Sequence, residues 1–326
     1  MKLFLTLIIP MVVAWGGITL LLYGKVLKGV IDHPNERSLH ALPVPRTGGI
    51  ALMTGLLIGW AAAWQPWMAP MVVCVFLLMT LSFIDDMKGL AASVRFLVHL
   101  LGGSVFVWYV ALPGTSLLLV AVIVFGIVWM TNLYNFMDGS DGLAGGMAVF
   151  GFGAYGIAAA IAGDMPFSTA CLTVVMSALA FLKFNFSPAR IFMGDSGSIP
   201  MGFLSGALGF MGWQRDLWPL WFPLMAFSPF VVDATVTLFR RLLRGEKVWQ
   251  AHREHFYQKL VRMGWGHRRT ALAEYGLMAA VCLSSVLMLN HPGILQAAFG
   301  LGWLLAYLRA MKIIDRMWSD SLHAQS

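Results

Sequence analysis

Long apolar runs separated by short polar connections make up most of the chain. A helix needs about 20 mostly apolar residues to cross a bilayer. Runs of that kind recur at 3–23, 47–64, 67–84, 94–112, 115–131, 143–162, 166–184, 198–212, 217–239, 271–289 and 294–311. They predict an all-α, polytopic transmembrane helical bundle of ten to eleven spans. The polar connections alternate in kind. Tiny ones at 65–66, 113–114, 163–165, 213–216 and 290–293 form one set, and larger ones at 24–46, 85–93, 132–142, 185–197 and 240–270, with the tail from Lys312, form the other. No Gly/Ser linker, repeat or soluble-domain-sized segment interrupts this alternation, so residues 1–326 read as one integral-membrane domain. The first run is expected to remain as a span, because it lacks a small-residue cleavage site before Tyr23.

Charge sharpens the picture. Of the 22 Lys and Arg residues, 20 lie in or beside the larger connections, and only Lys2 and Arg215 fall on the other side. Basic residues are retained on the cytoplasmic side during insertion, so the N-terminus is expected in the periplasm and the C-terminus in the cytoplasm. The same bias accounts for the net charge of +7 without a nucleic-acid partner. The chain is 59% hydrophobic and 11% charged, with a mean hydropathy of +0.77. Soluble domains carry roughly 25% charged residues. Cys74, Cys171 and Cys282 each sit in an apolar run with no CxxC pair, which argues against a disulfide framework or a zinc site.

The carboxylates carry the candidate chemistry. Nearly all of them avoid the spans and gather where spans meet the larger connections. Asp85 and Asp86 close the third span in FIDDMKGL; Asn132, Asn135, Asp138 and Asp141 lie in NLYNFMDGSDGLAGG; Asn185 and Asp195 lie in FNFSPARIFMGDSGS. Asp233 stands inside the ninth span. Adjacent carboxylates repel unless a cation neutralises them. Magnesium suits such sites because it takes oxygen ligands, typically one or two carboxylates plus substrate phosphates. Any one Asp at a helix end reads as an ordinary cap; several Asp-, Asn- and Gly-rich connections on one face do not. The glycines of MDGSDGL and MGDSGS allow sharp turns close to a ligand, each running into a helix whose first amides attract phosphate.

Two further connections offer cations. In DHPNERSLHALPVPRTGG, prolines 34, 43 and 45 keep the backbone extended, and Arg37 and Arg46 are candidates for bidentate phosphate recognition. In RRLLRGEKVWQAHREHFYQKL, His252 and His255 would share one face of a helix. With Arg253, Lys259, Arg240 and Arg241 they would form a basic patch suited to a diphosphate. His99, alone in mid-span, reads as packed and bonded to a neighbouring helix.

In this order, the motifs PxPRTGG, FIDD, NxxNFMDGSDGLAGG, FNFSPARIFMGDSGS and HREHxxQ resemble those of the polyprenyl-phosphate N-acetylhexosamine-1-phosphate transferases. That superfamily contains phospho-MurNAc-pentapeptide translocase and the UDP-GlcNAc:undecaprenyl-phosphate GlcNAc-1-phosphate transferases. The resemblance covers about residues 32–260. It implies that Asp195 is a Mg²⁺ ligand, with Mn²⁺ as a substitute, and that Asp85 and Asp86 are the acidic pair at the lipid-phosphate and metal centre. It implies a nucleotide-side loop of Asn132, Asn135, Asp138 and Asp141 with Asn185 nearby, and a diphosphate contact by His252 and His255. The translocase carries adjacent histidines where this chain has His-Arg-Glu-His and Gln258. The DHPNERSLH and HREHFYQ forms most resemble the branch that initiates O-antigen-type lipid-linked glycans.

The expected reaction moves N-acetylhexosamine 1-phosphate from UDP-GlcNAc, UDP-FucNAc or UDP-QuiNAc to undecaprenyl phosphate at the cytoplasmic face of a bacterial inner membrane. UMP is released, and a homodimer is compatible with the pattern. The alternative within the superfamily is the pentapeptide translocase of peptidoglycan synthesis. The rivals from other classes are a transporter, which would hold its ionisable groups near the bilayer midplane, and a non-catalytic lipid-binding protein, which has no use for several Asp-rich loops.

Overall fold

The computed structural model describes residues 2–24, 31–32, 39, 43–248, 250 and 252–323. Helices α1 (Lys2–Tyr23), α2 (Gly48–Ala62), α3 (Ala69–Lys88), α4 (Ala92–Val110), α5 (Leu117–Met137), α6 (Leu143–Ile161), α7 (Met165–Asn185) and α8 (Asp195–Gln214) follow in order. Then come α9 (Trp221–Ala226), α10 (Ser228–Leu243), α11 (Phe256–Leu260), α12 (Gly266–Met288) and α13 (Gly293–His323). The only strands among the described residues are β1 (Ile31–Asp32) and β2 (Val44–Pro45), antiparallel with Ile31 opposite Pro45. This is an all-α membrane protein: among the described residues, eight helical segments are long and apolar enough to cross a bilayer.

Three of the predicted spans depart from that standard. Helix α2 has 15 residues and is short for a crossing. Helix α8 has 20, but Gly, Ser and an internal Pro200 dilute its apolar character, and its length is almost wholly buried by protein. The ninth span is two helices, α9 and α10, broken at Phe227, just before Pro229, which lacks an amide donor in the first turn of α10. Several boundaries also move. Asn132 and Asn135 lie in the last turns of α5, Asn185 ends α7, and Asp195 opens α8. Apolar counting stops at the first polar residue, whereas the backbone ladder continues until a turn ends it.

Helix α8 is the centre of the fold, packed against α5 on one side and α3 on another, with α2 alongside. Close approach requires bare backbone at this crossing. A Cβ on Gly49 of α2 would stand 2.4 Å from Gly197 of α8, so both must be glycine for the helix starts to touch. Backbone bonds from Gly48 to Phe192 (2.9 Å), Gly49 to Met193 (2.9 Å) and Phe192 to Pro45 (2.7 Å) bind the start of α2 to the segment preceding α8. Helices α1, α2 and α7 pack together, as do α6 with α7 and α12.

Candidate active site

The helix ends around α8 surround a polar cavity of about 350 Å³, lined by Arg46, Asp86, Asn135, Asp138, Asp141 and Asp195, with Asn185, Gln258 and His267 at its walls. Gly194 makes this possible. Its φ of +69° is left-handed, and a Cβ there would sit 2.3 Å from the Arg46 carbonyl oxygen. Asp195 follows as the first residue of α8. Asn135 binds this helix start, its Oδ1 accepting from Ser198 Oγ at 2.7 Å.

Asp86 comes in from the last turn of α3, where Oδ2 accepts the Ser196 amide at 3.3 Å. Arg46 lies beside it, with Nε 3.7 Å from Asp86 Oδ1 and Nη2 donating to the Asp86 carbonyl. Asp85 turns away from the cavity: Oδ1 accepts the Leu90 amide, and Oδ2 lies 3.4 Å from Arg95 Nη1. The same Arg95 nitrogen is 3.7 Å from Asp195 Oδ2, so one guanidinium spans both carboxylates. Asp138 caps the end of α5 and faces the cavity. Burial, and then the charges of Asp195 and Asp86, hold its carboxyl well above the usual range. Asp195 is raised for the same reasons, burial first and Asp85 second, against the pull of Arg95 and Arg46.

These carboxylates fit a divalent cation by donor chemistry: they are hard oxygen donors whose mutual repulsion a cation would relieve. Among the described residues no three Asp, Glu, His or Cys side chains stand close enough to form a complete ligand set alone. Mg²⁺ does not require one, since it usually takes one or two carboxylates and completes its shell with water and substrate phosphates.

Other predicted residues lie at or around the cavity in different capacities. Asn185 is a clamp, its Oδ1 accepting from Gly142 N and its Nδ2 donating to the Ile191 carbonyl, both at 2.9 Å. Asp141 does the same through Ala189 N, at 3.0 Å. Asn132 does not line the polar cavity. It faces an apolar groove of about 940 Å³ between α4, α5 and α10, together with Arg95, His99, Trp129 and Phe239. Asn135 lines both spaces, so the groove and the polar cavity adjoin beside α8. Arg37 lies outside the described residues.

The histidine pair requires a correction. His252 and His255 are not on one helix face: His252 is in a loop, and His255 is the N-cap of α11. Their rings still meet, with centroids 4.7 Å apart. Neither lines the polar cavity. The organiser is Asp233, buried in α10, whose carboxylate accepts from Phe256 N (2.9 Å) and Tyr257 N (3.0 Å) and meets His255 Nδ1 at 3.2 Å. Burial, and then His255 and Arg241, push His252 down to about 4, so it is a neutral imidazole at pH 7. The expected basic patch is also largely neutralised. Arg240 and Lys259 both bind Asp315, at 2.7 and 2.8 Å, and buried Arg241 binds Glu246 at 2.7 Å. Arg253 offers its carbonyl to Arg262 (3.2 Å) and does not line the cavity.

Three residues have a place in the structure for which the sequence alone assigned no role. Arg95 was read only as a topological charge, yet its position opposite an acidic pair at the next helix start was a usable signal. Asp233 carried one too, an acid within an apolar run. His267 had none: Nδ1 meets Ser140 Oγ at 2.9 Å and Nε2 meets the Leu39 carbonyl at 3.1 Å, tying three distant segments together.

Residues 68–212 match the model of the family described as glycosyl transferase family 4, a stretch that runs from α3 through α8. Decaprenyl-phosphate N-acetylglucosaminephosphotransferase of Mycolicibacterium smegmatis is 30% identical over 84% of this chain and 79% of its own length. The chain belongs to glycosyl transferase family 4. A Bacillus subtilis relative named "Probable undecaprenyl-phosphate N-acetylglucosaminyl 1-phosphate transferase" is 28% identical over 80% of this chain and 77% of its own. Phospho-N-acetylmuramoyl-pentapeptide-transferase of Levilactobacillus brevis is 33% identical over half of each chain. The family match spans Asp85, Asp86, Asn135, Asp138 and Asp195, and leaves the histidine loop outside.

Proposed function

We propose that this family member transfers N-acetylhexosamine 1-phosphate from a UDP-sugar to undecaprenyl phosphate, releasing UMP and starting an O-antigen-type or other surface polysaccharide. UDP-GlcNAc is the first donor to test, followed by UDP-FucNAc and UDP-QuiNAc. The reading includes a bacterial inner-membrane location and ten to eleven crossings, with a periplasmic N-terminus and a cytoplasmic site that the 20-to-2 division of basic residues supports.

The observation that carries the reading is the meeting of two unlike spaces. A cavity crowded with carboxylates adjoins, at Asn135, an apolar groove. A sugar nucleotide suits the first and a prenyl chain the second, and the two phosphates would meet at the junction. The relatives named above carry polyprenyl phosphate and N-acetylglucosamine in their names, which agrees with both halves.

Phosphoryl transfer depends on positioning and charge neutralisation more than on covalent chemistry. Asp195, with Asp86 beside it, would hold Mg²⁺, which would supply neutralisation of phosphate charge and polarisation of the phosphorus, while Asp138 faces the same cavity. Arg46 and Arg95 flank the carboxylates and give incoming phosphates their first cationic partners. Asp85 holds Arg95 at the junction, with the α3 terminus braced through Leu90. The acceptor phosphate is itself the nucleophile; with a second pKa of about 6 it is mostly dianionic at neutral pH and needs little help from a base. Asn135 fixes the α8 start, and the Asp141 and Asn185 clamps fix the loops that face the donor.

The test is an assay of purified protein with undecaprenyl phosphate, Mg²⁺ and a panel of UDP-N-acetylhexosamines. The expected nucleotide product is UMP, and adding UMP to sugar-loaded lipid should regenerate UDP-sugar, because one phosphoanhydride is exchanged for another. UDP as the sole nucleotide product would mean attack at the anomeric carbon and would overturn this reading.

A further inference from the structure

One histidine in the wall of the polar cavity comes from outside the stretch that matches the family. Residues 68–212 carry that match, and His267 lies beyond it, in the first turn of α12. The chain reaches it through left-handed backbone at Gly264 and Gly266, with φ of +91° and +67°. The His267 side chain is 18% exposed and lines the cavity, yet both its ring nitrogens are engaged within the protein. Nε2 meets the Leu39 carbonyl at 3.1 Å, and a carbonyl can only accept, so Nε2 carries a proton. The Asp141 amide, which can only donate, points at Nδ1 from 3.4 Å, so Nδ1 is the acceptor and takes the Ser140 hydroxyl as well, at 2.9 Å. No polar atom of the ring is left for a ligand.

The loop that His267 holds faces one of the two ligand spaces. Asp138, Gly139, Ser140 and Asp141 all line the polar cavity, and none of them lines the apolar groove. Helix α12 grips the same loop a second time. Tyr275, about two turns further along, donates from Oη to the Gly142 carbonyl at 2.7 Å. From the opposite side, Asn185 accepts the Gly142 amide and the Asp141 carboxylate accepts the Ala189 amide. Between these fixed points, the Ser140 side chain bonds to His267 alone among the described residues. Loss of the imidazole therefore frees the middle of the loop while its far end stays anchored.

We propose that His267 is a positioning residue for the sugar-nucleotide donor: through Nδ1 it holds Ser140 and Asp141 in the cavity wall, so that its loss weakens the donor and spares the acceptor. The proposal rests on the transferase reading, in which the sugar nucleotide occupies the polar cavity and the prenyl chain the groove. Within that reading it gives α12, which lies outside the family match, a part in binding the donor. The Leu39 carbonyl sets the tautomer of the ring, and the effect on the donor is exerted at Nδ1.

The experiment compares wild type with His267→Ala, His267→Asn and His267→Gln. Asparagine places an amide oxygen close to the position of Nδ1, and glutamine places its amide close to that of Nε2, so the two variants separate the loop contact from the Leu39 contact. In turnover, His267→Ala should raise the KM for the UDP-sugar about tenfold, with kcat within about threefold and the KM for undecaprenyl phosphate within about twofold. His267→Asn should bring the donor KM back to within about threefold of wild type, and His267→Gln should behave like His267→Ala. In direct titration with UMP, without acceptor, the dissociation constants should follow the same order. A donor KM within about twofold of wild type for His267→Ala would overturn the proposal. So would equal rises in both KM values that His267→Asn does not repair, the mark of a packing defect. Repair by His267→Gln in place of His267→Asn would overturn it too, by moving the role to the Leu39 contact. UMP binding in the expected order by a protein that consumes no UDP-sugar would overturn the transferase reading and leave the His267 assignment standing.

Discussion

The polar cavity and the histidine loop hold similar residue types in opposite states. In the loop around α10 and α11, charges are paired within the protein. Asp233 accepts from two backbone amides and His255, Arg241 and Arg244 share Glu246 and Glu254, and Asp315 receives Arg240 and Lys259. In the cavity, Asp138 and Asp195 are held above their ordinary pKa by burial and by neighbouring carboxylates, Asp195 and Asp86 for the first and Asp85 for the second. Paired charges specify a conformation; crowded like charges await something from outside. The comparison separates residues that shape the site from residues that act in it, although the sequence presents both as conspicuous Asp, Arg and His.

Several measurements would break or sharpen that contrast. Asp195→Asn keeps shape but removes charge, and should lower turnover by more than about 1000-fold, roughly 4 kcal/mol of barrier, with the melting temperature unchanged or raised. A loss below tenfold, measured as UMP release, would remove Asp195 from the centre. Asp233→Ala should act the other way round. It strips partners from two buried amides and His255, so a stability loss of about 2–4 kcal/mol should accompany an activity loss of about 10- to 100-fold. Full activity with an unchanged melting temperature would show that the loop needs no such anchor.

Next in size, His252→Ala should reduce turnover by less than about tenfold, since a neutral imidazole outside the cavity is not a principal charge partner. A loss equal to that of Asp195→Asn would move the chemistry to the histidines.

Titration provides a further separation. Raised carboxyl pKa values mean that the folded protein binds protons which the unfolded chain has released. The contribution of Asp138 and Asp195 to stability is therefore present at low pH and is lost as pH rises through their folded values. Mg²⁺ should consequently raise the melting temperature more at pH 8 than at pH 5, and an equal rise at both would break the link between the carboxylates and the cation. Smallest of all, Glu246→Gln removes a half-exposed partner of two arginines that Glu254 also pairs, and should leave both melting temperature and turnover within error of wild type.

Much of the fold was legible because the bilayer imposes a crude rule: apolar runs of one length must be helices. The rule failed where protein, not lipid, surrounds the helix. Helix α8 is enclosed by α3 and α5, so its sequence is free to carry Gly, Ser and Pro. The candidate site was legible as a set of carboxylates on one side of the membrane, because buried acids are too costly to retain without use. The histidine motif was legible as a motif and misread as a helix: His255 caps α11 only because Asp233, 23 residues before Phe256, captures that helix's first amides.

By itself, then, the sequence determined helices, their approximate ends, the side on which charge accumulates and the chemical nature of the donors, all of which depend on local composition against a fixed solvent. Only the tertiary structure decided which of those donors are spent on the protein and which remain for a ligand. Asp86 meets Ser196 across 110 residues, Ser140 meets His267 across 127, and Asn132 turns into the groove rather than the cavity. Such pairings follow from how helices pack in three dimensions, and composition and spacing along the chain carry no record of them.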